Sequence, residues 1–179
     1  YGTVYKHTTV NLQEVTNRVK VIIEVDHENV SQAWMPAAKD MMPVVNSANA
    51  TMLIGGSIKR GESPIEYSAR DINLQSKEYA EWNYTLLDLV TGVYNGFDVT
   101  YFNELSGEVE SIFKDAPVDL IGAILTNTKP GAVSLECEND FEIRIKLYDR
   151  CADCGWTYFS CDIYVNDWIV HSYSTELGN

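Results

Sequence analysis

Two segments near the end of the chain alternate apolar and polar residues so regularly that they leave little choice of local structure. Their apolar positions are Phe141, Ile143, Ile145 and Leu147 in the first segment and Phe159, Cys161, Ile163 and Val165 in the second. A period of two residues places successive side chains on opposite faces of a strand. We therefore predict an antiparallel meander with one buried and one wet face, which continues through a short turn at Asn166 into a third strand from Trp168 to Tyr173.

The first half of the chain mixes strand and helix patterns. Residues 19–25 alternate and predict a strand, and residues 51–58 predict a second one with a bend at Gly55 and Gly56. Between them, apolar residues recur at helical spacing over residues 30–45. Because Pro36 and Pro43 each remove a helical hydrogen bond, we expect a kinked helix or two short helices there.

Helical spacing also dominates the middle of the chain. Tyr79, Trp82, Leu86, Leu89 and Val93 are three or four residues apart and predict a helix over residues 76–95. A similar pattern predicts a second helix over residues 98–114, so the two should form a helical hairpin. Residues 118–125 are apolar almost throughout and read as a helix that is either buried or membrane-seeking, with burial favoured.

These elements together predict an α+β fold, in which an antiparallel sheet formed by the C-terminal meander is covered by helical hairpins. With 179 residues the chain is long enough to bury a sizeable core and short enough for one domain. We therefore expect residues 1–179 to form a single domain.

The charge balance restricts the partners. Thirteen basic and 26 acidic residues give a net charge of −13, which repels nucleic acid and anionic lipid but permits a basic protein partner. The chain opens on Tyr1 and contains no apolar run long enough to span a bilayer, so it reads as a trimmed, secreted protein. Sequons at Asn29, Asn49 and Asn83 are candidate glycosylation sites.

No motif in the sequence carries recognisable chemistry. Cys151 and Cys154 have the spacing of a redox or zinc motif, but a zinc ribbon needs a second such pair, so a local disulfide or two free thiols remain open. The histidines lie far apart in sequence, and no nucleophile elbow is present. We therefore expect a protein that is not an enzyme and that uses no metal or cofactor.

Three blocks give the chain a resemblance to a known family. They are residues 18–25 with the helix predicted after them, residues 92–113 with their helical spacing, and residues 141–165 with two strands about a loop that contains Gly155. In this order they resemble the single-domain cytolysins of the Cyt δ-endotoxin and volvatoxin type. The resemblance implies a secreted, protease-trimmed protein that binds membrane lipid without enzymatic chemistry, with the helices over residues 76–95 and 98–114 as its moving layer.

The resulting hypothesis is a secreted, pore-forming cytolysin that binds zwitterionic rather than anionic lipid and can assemble into an oligomer on the membrane. The alternative is an acidic secreted binding module for an apolar small ligand or a basic protein partner. In either case the candidate lipid- or ligand-contacting residues are the apolar side chains of the predicted helices. They are Trp82, Leu86, Leu89, Leu120, Ile121 and Ile124.

Overall fold

The structure, a computed structural model, describes residues 14–26, 36–73, 75–103, 106–113, 117–125, 135, 138–149, 158–166 and 168–176. Its strands in chain order are β1 (Thr16–Val25), β2 (Met41–Ser47), β3 (Ile65–Tyr67), β4 (Asp71–Asn73), β5 (Tyr79–Leu87), β6 (Asn95–Asn103), β7 (Glu108–Ser111), β8 (Val118–Asp119), β9 (Asp140–Asp149), β10 (Tyr158–Val165) and β11 (Trp168–Glu176). A short helix, α1 (Leu120–Leu125), follows β8, and one turn of 3-10 helix (Ala38–Asp40) precedes β2.

The first sheet has the strand order β11-β10-β9-β1-β5-β4. Its C-terminal strands β9, β10 and β11 form the antiparallel meander that their alternation predicts. Strand β1 lies at the centre, antiparallel to β5 and parallel to β9. The parallel pair joins positions as far apart in sequence as Arg18 and Asp140, so the N-terminal strand ties the meander to the rest of the chain.

The second sheet has the order β3-β2-β6-β7, with β8 also paired to β6. Strand β6 pairs with β2 over residues 95–101, and β7 and β8 follow one another along its other side. All of these pairs are antiparallel. The chain passes between the sheets several times, and the passage from β5 to β6 through residues 88–94 is called the crossover.

The two sheets share one hydrophobic core and form a β-sandwich. Inward side chains of β1, β5 and β9 pack with those of β2 and β6 and with the helix α1. A hydrogen bond also links the sheets, because the Tyr84 hydroxyl of β5 donates to the Pro43 carbonyl of β2 over 2.7 Å. Burial raises the pKa of Tyr84, so this hydroxyl remains a donor across the physiological range.

The prediction of an α+β fold with covering helical hairpins is wrong. Residues 76–95 form strand β5 and the crossover, and residues 98–114 contribute to β6 and β7. The buried residues of β5 are Ala80, Trp82, Tyr84 and Leu86, which recur every second residue. An interval of four residues, such as Trp82 to Leu86, satisfies both a helix and a strand, and the aromatic and β-branched composition favours the strand.

Two other predictions of local structure are also wrong. Within residues 30–45, the described part contains one turn of 3-10 helix and the start of β2, while residues 27–35 lie outside the described residues. Residues 51–58 form a tight hairpin tip with a single bridge between Met52 and Ile58. The predicted helix over residues 118–125 is present in part, as α1, with Leu120 and Ile124 fully buried.

Three buried asparagines hold the crossover between the sheets. Asn17 accepts a hydrogen bond from the Leu89 amide over 2.6 Å, and Asn49 donates to the carbonyl groups of Leu87 (2.6 Å) and Asp88 (3.1 Å). Asn95 donates to the Val93 carbonyl over 2.9 Å and accepts from the Ser47 hydroxyl. Each asparagine satisfies backbone groups that would otherwise be buried without partners, so the crossover is fixed where it enters the core.

Candidate binding surfaces

The outer face of the first sheet carries a charged ladder on its two central strands. On β1 the outward positions include Arg18, Lys20, Ile22 and Glu24, which alternate with the core residues Val19, Val21 and Ile23. On β9 the outward residues alternate with buried Phe141, Ile143, Ile145 and Leu147 in the same way. The charged ladder consists of Arg18, Lys20, Glu24, Asp140, Glu142, Arg144 and Lys146.

Opposite charges meet across the parallel pair of strands. Lys20 Nζ lies 2.8 Å from Glu142 Oε2, and the Arg18 guanidinium makes a two-pronged contact with the Asp140 carboxylate. Arg144 lies 2.7 Å from Glu142 and 3.6 Å from Glu24. The ladder therefore neutralises its own charges and joins two strands that are remote in sequence.

The pKa values along the ladder shift as this pairing requires. The hydrogen bond from Lys20 lowers the pKa of Glu142, and the same bond raises the pKa of Lys20. The hydrogen bond from Arg18 lowers the pKa of Asp140. Each partner thus stays charged at neutral pH, and none is tuned toward the intermediate pKa that general acid–base catalysis needs.

An open groove of about 590 Å³ lies over this face, next to the ladder. Beyond ladder residues it is lined by Val19, Arg70, Asp71, Asn83, Tyr84, Thr85, Phe141 and Asn166. The Asn166 side chain accepts a hydrogen bond from the Glu142 amide over 2.9 Å, which fixes one wall of the groove. The lining combines amide, hydroxyl and mutually paired charged groups with a similar amount of apolar surface, a mixture that suits a peptide better than a purely apolar small molecule.

The apolar residues that the sequence nominates for ligand or lipid contact lie in the core. Trp82, Leu86 and Leu89 are at most 4% exposed, and Leu120, Ile121 and Ile124 at most 5%. The fold brings all six together between the sheets. In this conformation none of them is accessible to a bilayer or a ligand, and their role in binding stays a prediction.

The other nominated residues fall in different places. Cys151, Cys154 and Asn29 lie outside the described residues, and their pairing or modification stays a prediction. Asn49 is fully buried, and the Tyr67 hydroxyl donates to it over 2.7 Å. Asn83 lies in the groove, where its amide donates to Glu81 over 2.9 Å.

Sequence reasoning missed the groove and the ladder. The outward charges are visible as the polar positions of two alternating segments, but nothing local tells which strands are neighbours. The pairing of β1 with β9 joins residues 122 positions apart. Opposite charges at matching positions, such as Lys20 and Glu142, are the signal that could have found it.

Among the described residues, no group of three or more His, Cys, Asp and Glu side chains could hold a metal ion. In the same part of the chain, no helix has the length and apolar character needed to cross a membrane.

The comparisons with known proteins point to fimbriae. No family model matches the chain. It is 30% identical over 174 residues to the minor fimbrium anchoring subunit Mfa2 of Porphyromonas gingivalis, which covers 97% of this chain and 48% of Mfa2. The solved structure of Mfa2 superposes with a TM-score of 0.66 and 27% identity, covering 91% of this chain and 50% of that one. The chain thus spans about half the length of this relative.

More distant structures share the fold. A candidate adhesin from Bacteroides ovatus superposes with a TM-score of 0.57 at 13% identity, over 89% of this chain and 50% of that one. A second candidate adhesin, from Bacteroides thetaiotaomicron, gives a TM-score of 0.58 at 14% identity, over 87% of this chain and 52% of that one. At such identities the likeness concerns the β-sandwich alone.

These findings correct the functional hypothesis. The resemblance to Cyt-type and volvatoxin-like cytolysins is wrong, because the similarity that covers nearly the whole chain is to a fimbrial anchoring subunit. The prediction of a pore-forming toxin is also wrong, because the segments predicted as its moving helices are strands of a β-sandwich. The binding-module alternative fits better. The expectation that the chain is not an enzyme is confirmed by the similarity to a fimbrial anchoring subunit.

The expectations of a protein partner and of a location outside the cytoplasm agree with the comparisons, whereas their finer details do not follow from them. A protein partner agrees with a relative that is a fimbrial subunit, whereas a lipid partner is not supported. Fimbriae are cell-surface appendages, so exposure outside the cytoplasm agrees with the comparisons, and release into the medium does not follow from them.

Proposed function

We propose that this chain forms about half of a cell-surface anchoring subunit, which holds a fimbrium or a similar protein assembly at the cell without catalysis. The observation that carries the proposal is the 30% identity to the minor fimbrium anchoring subunit Mfa2 across 97% of this chain. A match that runs from one end of the chain to the other involves the whole sandwich rather than one motif.

The architecture suits a protein that must hold a load. Strand β1 is paired on both sides, with nine register pairs to β5, from Thr16↔Leu87 to Glu24↔Tyr79, and eight to β9, from Arg18↔Asp140 to Val25↔Leu147. Pulling β1 out of the sheet would break both ladders of backbone hydrogen bonds and the ion pairs of the charged ladder. A core shared by both sheets adds the cost of exposing apolar surface.

The surface chemistry favours a protein over a small apolar ligand. The groove on the first sheet is lined by charges that neutralise each other, by other polar groups and by apolar surface. Such a surface can contribute hydrogen bonds to a polypeptide, as the polar parts of protein interfaces do. The core that would have to open for an apolar ligand is filled by large side chains, including Trp82, Phe97 and Leu86.

Removing an anchor should release what it holds. In cells that lack the gene for this chain, we expect most of the fimbrial protein to move from the cell pellet to the medium, while its total amount stays the same. Immunoblots of the two fractions measure this redistribution. Expression of the intact gene from a plasmid should return the fimbrial protein to the pellet.

A variant with an altered groove tests whether the groove takes part in anchoring. Asp71→Asn with Asn83→Ala changes two groove residues without touching the core. Fimbrial protein that stays with the cells after deletion of the gene would contradict the anchoring function. Loss of fimbrial protein from both fractions would also contradict it, because that result indicates a role in assembly or expression.

A further inference from the structure

The outer face of the second sheet differs in kind from the charged ladder. We call it the acidic-apolar face and define it by the outward positions of the paired strands β2, β3, β6, β7 and β8. It comprises Met42, Val44, Asn46, Glu66, Gly96, Asp98, Thr100, Phe102, Val109, Ser111 and Asp119. The face divides into an apolar end and an acidic end.

The apolar end exposes large side chains that are adjacent in register. Phe102 is 58% and Val109 is 69% exposed, and the two lie directly opposite each other on β6 and β7. Met42, 64% exposed, is opposite Thr100, one row further along the sheet. Isolated exposed apolar residues are ordinary, but a contiguous set on a regular sheet face marks an interaction surface.

The acidic end has carboxylates without matching cations on its own strands. Asp98 is opposite Val44, while Glu66 and Asp119 flank the row that contains Gly96. None of the five described strands of this sheet contains a lysine or an arginine. The first sheet contrasts with it, because there Lys20, Arg18 and their neighbours neutralise the acids.

Asp98 shows that the acidic end is built into the sheet. Its carboxylate accepts hydrogen bonds from the Ser111 hydroxyl (2.5 Å) and from the Val99 amide (2.7 Å). Burial nevertheless raises the pKa of Asp98, so keeping its charge at neutral pH costs the fold some stability. A partner that supplies a positive charge would offset this cost.

We propose that the acidic-apolar face is the docking surface for a basic segment of a protein partner, in which lysine or arginine side chains meet the acidic end and apolar side chains cover Met42, Phe102 and Val109. This inference rests on the proposed anchoring function, since it names the surface by which the anchor holds a protein. Apolar contact supplies affinity at the centre, and the charges select a basic partner and speed its approach.

Binding of a defined probe tests the surface. The probe is a short labelled peptide in which lysine alternates with leucine, and its counterpart contains glutamate in place of lysine. Fluorescence anisotropy with the 179-residue chain should show binding of the lysine peptide alone. Phe102→Ser with Val109→Ser, and separately Glu66→Gln with Asp98→Asn, should each weaken it by about tenfold or more.

Matched variants separate this face from the general negative charge. Ile54→Ser with Ile72→Ser removes exposed apolar residues elsewhere, and Asp26→Asn with Glu78→Gln removes the same charge outside both the face and the groove. Affinity within about twofold of the unaltered chain is expected for both. Equal weakening by the control pairs, or no binding of the lysine peptide, would overturn the proposal. So would sedimentation that shows a dimer lost in Phe102→Ser, because the occupant would then be a second copy.

The same variants distinguish the two proposals in cells. If the gene deletion releases fimbrial protein and the Phe102→Ser, Val109→Ser variant also releases it, both proposals are supported. Release by the deletion without release by the variant would reject the face and leave the anchoring function standing. If the deletion itself releases nothing, the anchoring function fails whatever the peptide measurements show.

Discussion

At the scale of single residues, the buried asparagines explain why this sandwich has a defined crossover. An asparagine in the core lowers the stability of the fold unless its amide group is hydrogen-bonded. In Asn49 both the nitrogen and the oxygen of the amide group have partners. Its amide nitrogen donates to the Leu87 and Asp88 carbonyl groups, and its oxygen accepts from the Tyr67 hydroxyl. The residue thereby ties β5 to the segment that follows β2.

Replacing Asn49 should lower the stability of the fold. Asn49→Ala leaves two partly buried carbonyl groups and one hydroxyl with fewer partners, and we expect the free energy of unfolding to fall by about 1–3 kcal/mol. Urea denaturation measures it. Asn73→Ala, on the exposed edge strand β4, is the control and should change stability by less than about 0.5 kcal/mol. Equal effects of the two substitutions would show that the Asn49 network contributes little.

The same burial bears on the sequon at this position. The Asn49 side chain is fully buried and its amide nitrogen is engaged by two carbonyl groups. A glycan on this nitrogen would require the crossover to open. The sequence pattern alone contains no information on burial, and for this reason Asn49 was indistinguishable from Asn83, which lies on the outer face of the first sheet.

At the scale of elements, the sequence predicted the C-terminal meander and β1 but misassigned β5 to β7. The meander is unambiguous because every second residue is apolar over a long stretch. In and just after β5, the spacing of Tyr79, Trp82, Leu86 and Leu89 matches a helix. The spacing of Ala80, Trp82, Tyr84 and Leu86 matches a strand equally well. Tertiary pairing with β1 decides between them, and a single sequence does not contain that pairing.

A substitution at Thr85 distinguishes a strand from a helix by the sign of the change in the free energy of unfolding. Thr85 is exposed on β5, so packing contributes little at this position. Alanine is favoured over threonine in a helix and disfavoured in a strand. We therefore expect Thr85→Ala to lower the free energy of unfolding by about 0.5–1 kcal/mol, whereas Thr85→Val should be nearly neutral. A stabilising effect of alanine in urea denaturation would contradict the strand.

At the scale of the whole molecule, the charge is distributed unevenly between the two sheets. The net charge of −13 is evident from composition and favours a basic partner over a nucleic acid as a hypothesis. Where the uncompensated acids lie could not be predicted, because it depends on the strand order. The first sheet pairs its acids with cations on β1 and β9, and the second sheet has acids such as Asp98 on strands without any cation.

The charged ladder joins β1 to β9, which are far apart in sequence, and its contribution should depend on pH. The bond between Lys20 and Glu142 lowers the pKa of Glu142 below its ordinary value of about 4.5 and raises that of Lys20 above 10.5. A carboxylate with a lowered pKa stabilises the fold above its ordinary pKa and loses this effect as the pH falls. The lysine contribution is complete below pH 10.5 and disappears as the pH rises through its raised pKa.

A double-mutant cycle of Lys20→Met and Glu142→Gln measures this pair. Both side chains are partly exposed, which screens their attraction, so we expect a coupling free energy of about 0.5–1 kcal/mol at pH 7. The coupling should become smaller as the pH falls and Glu142 is protonated, and in high salt. A coupling that stays the same once Glu142 is protonated would mean that the pair acts through packing of the lysine stem against the sheet instead of through charge.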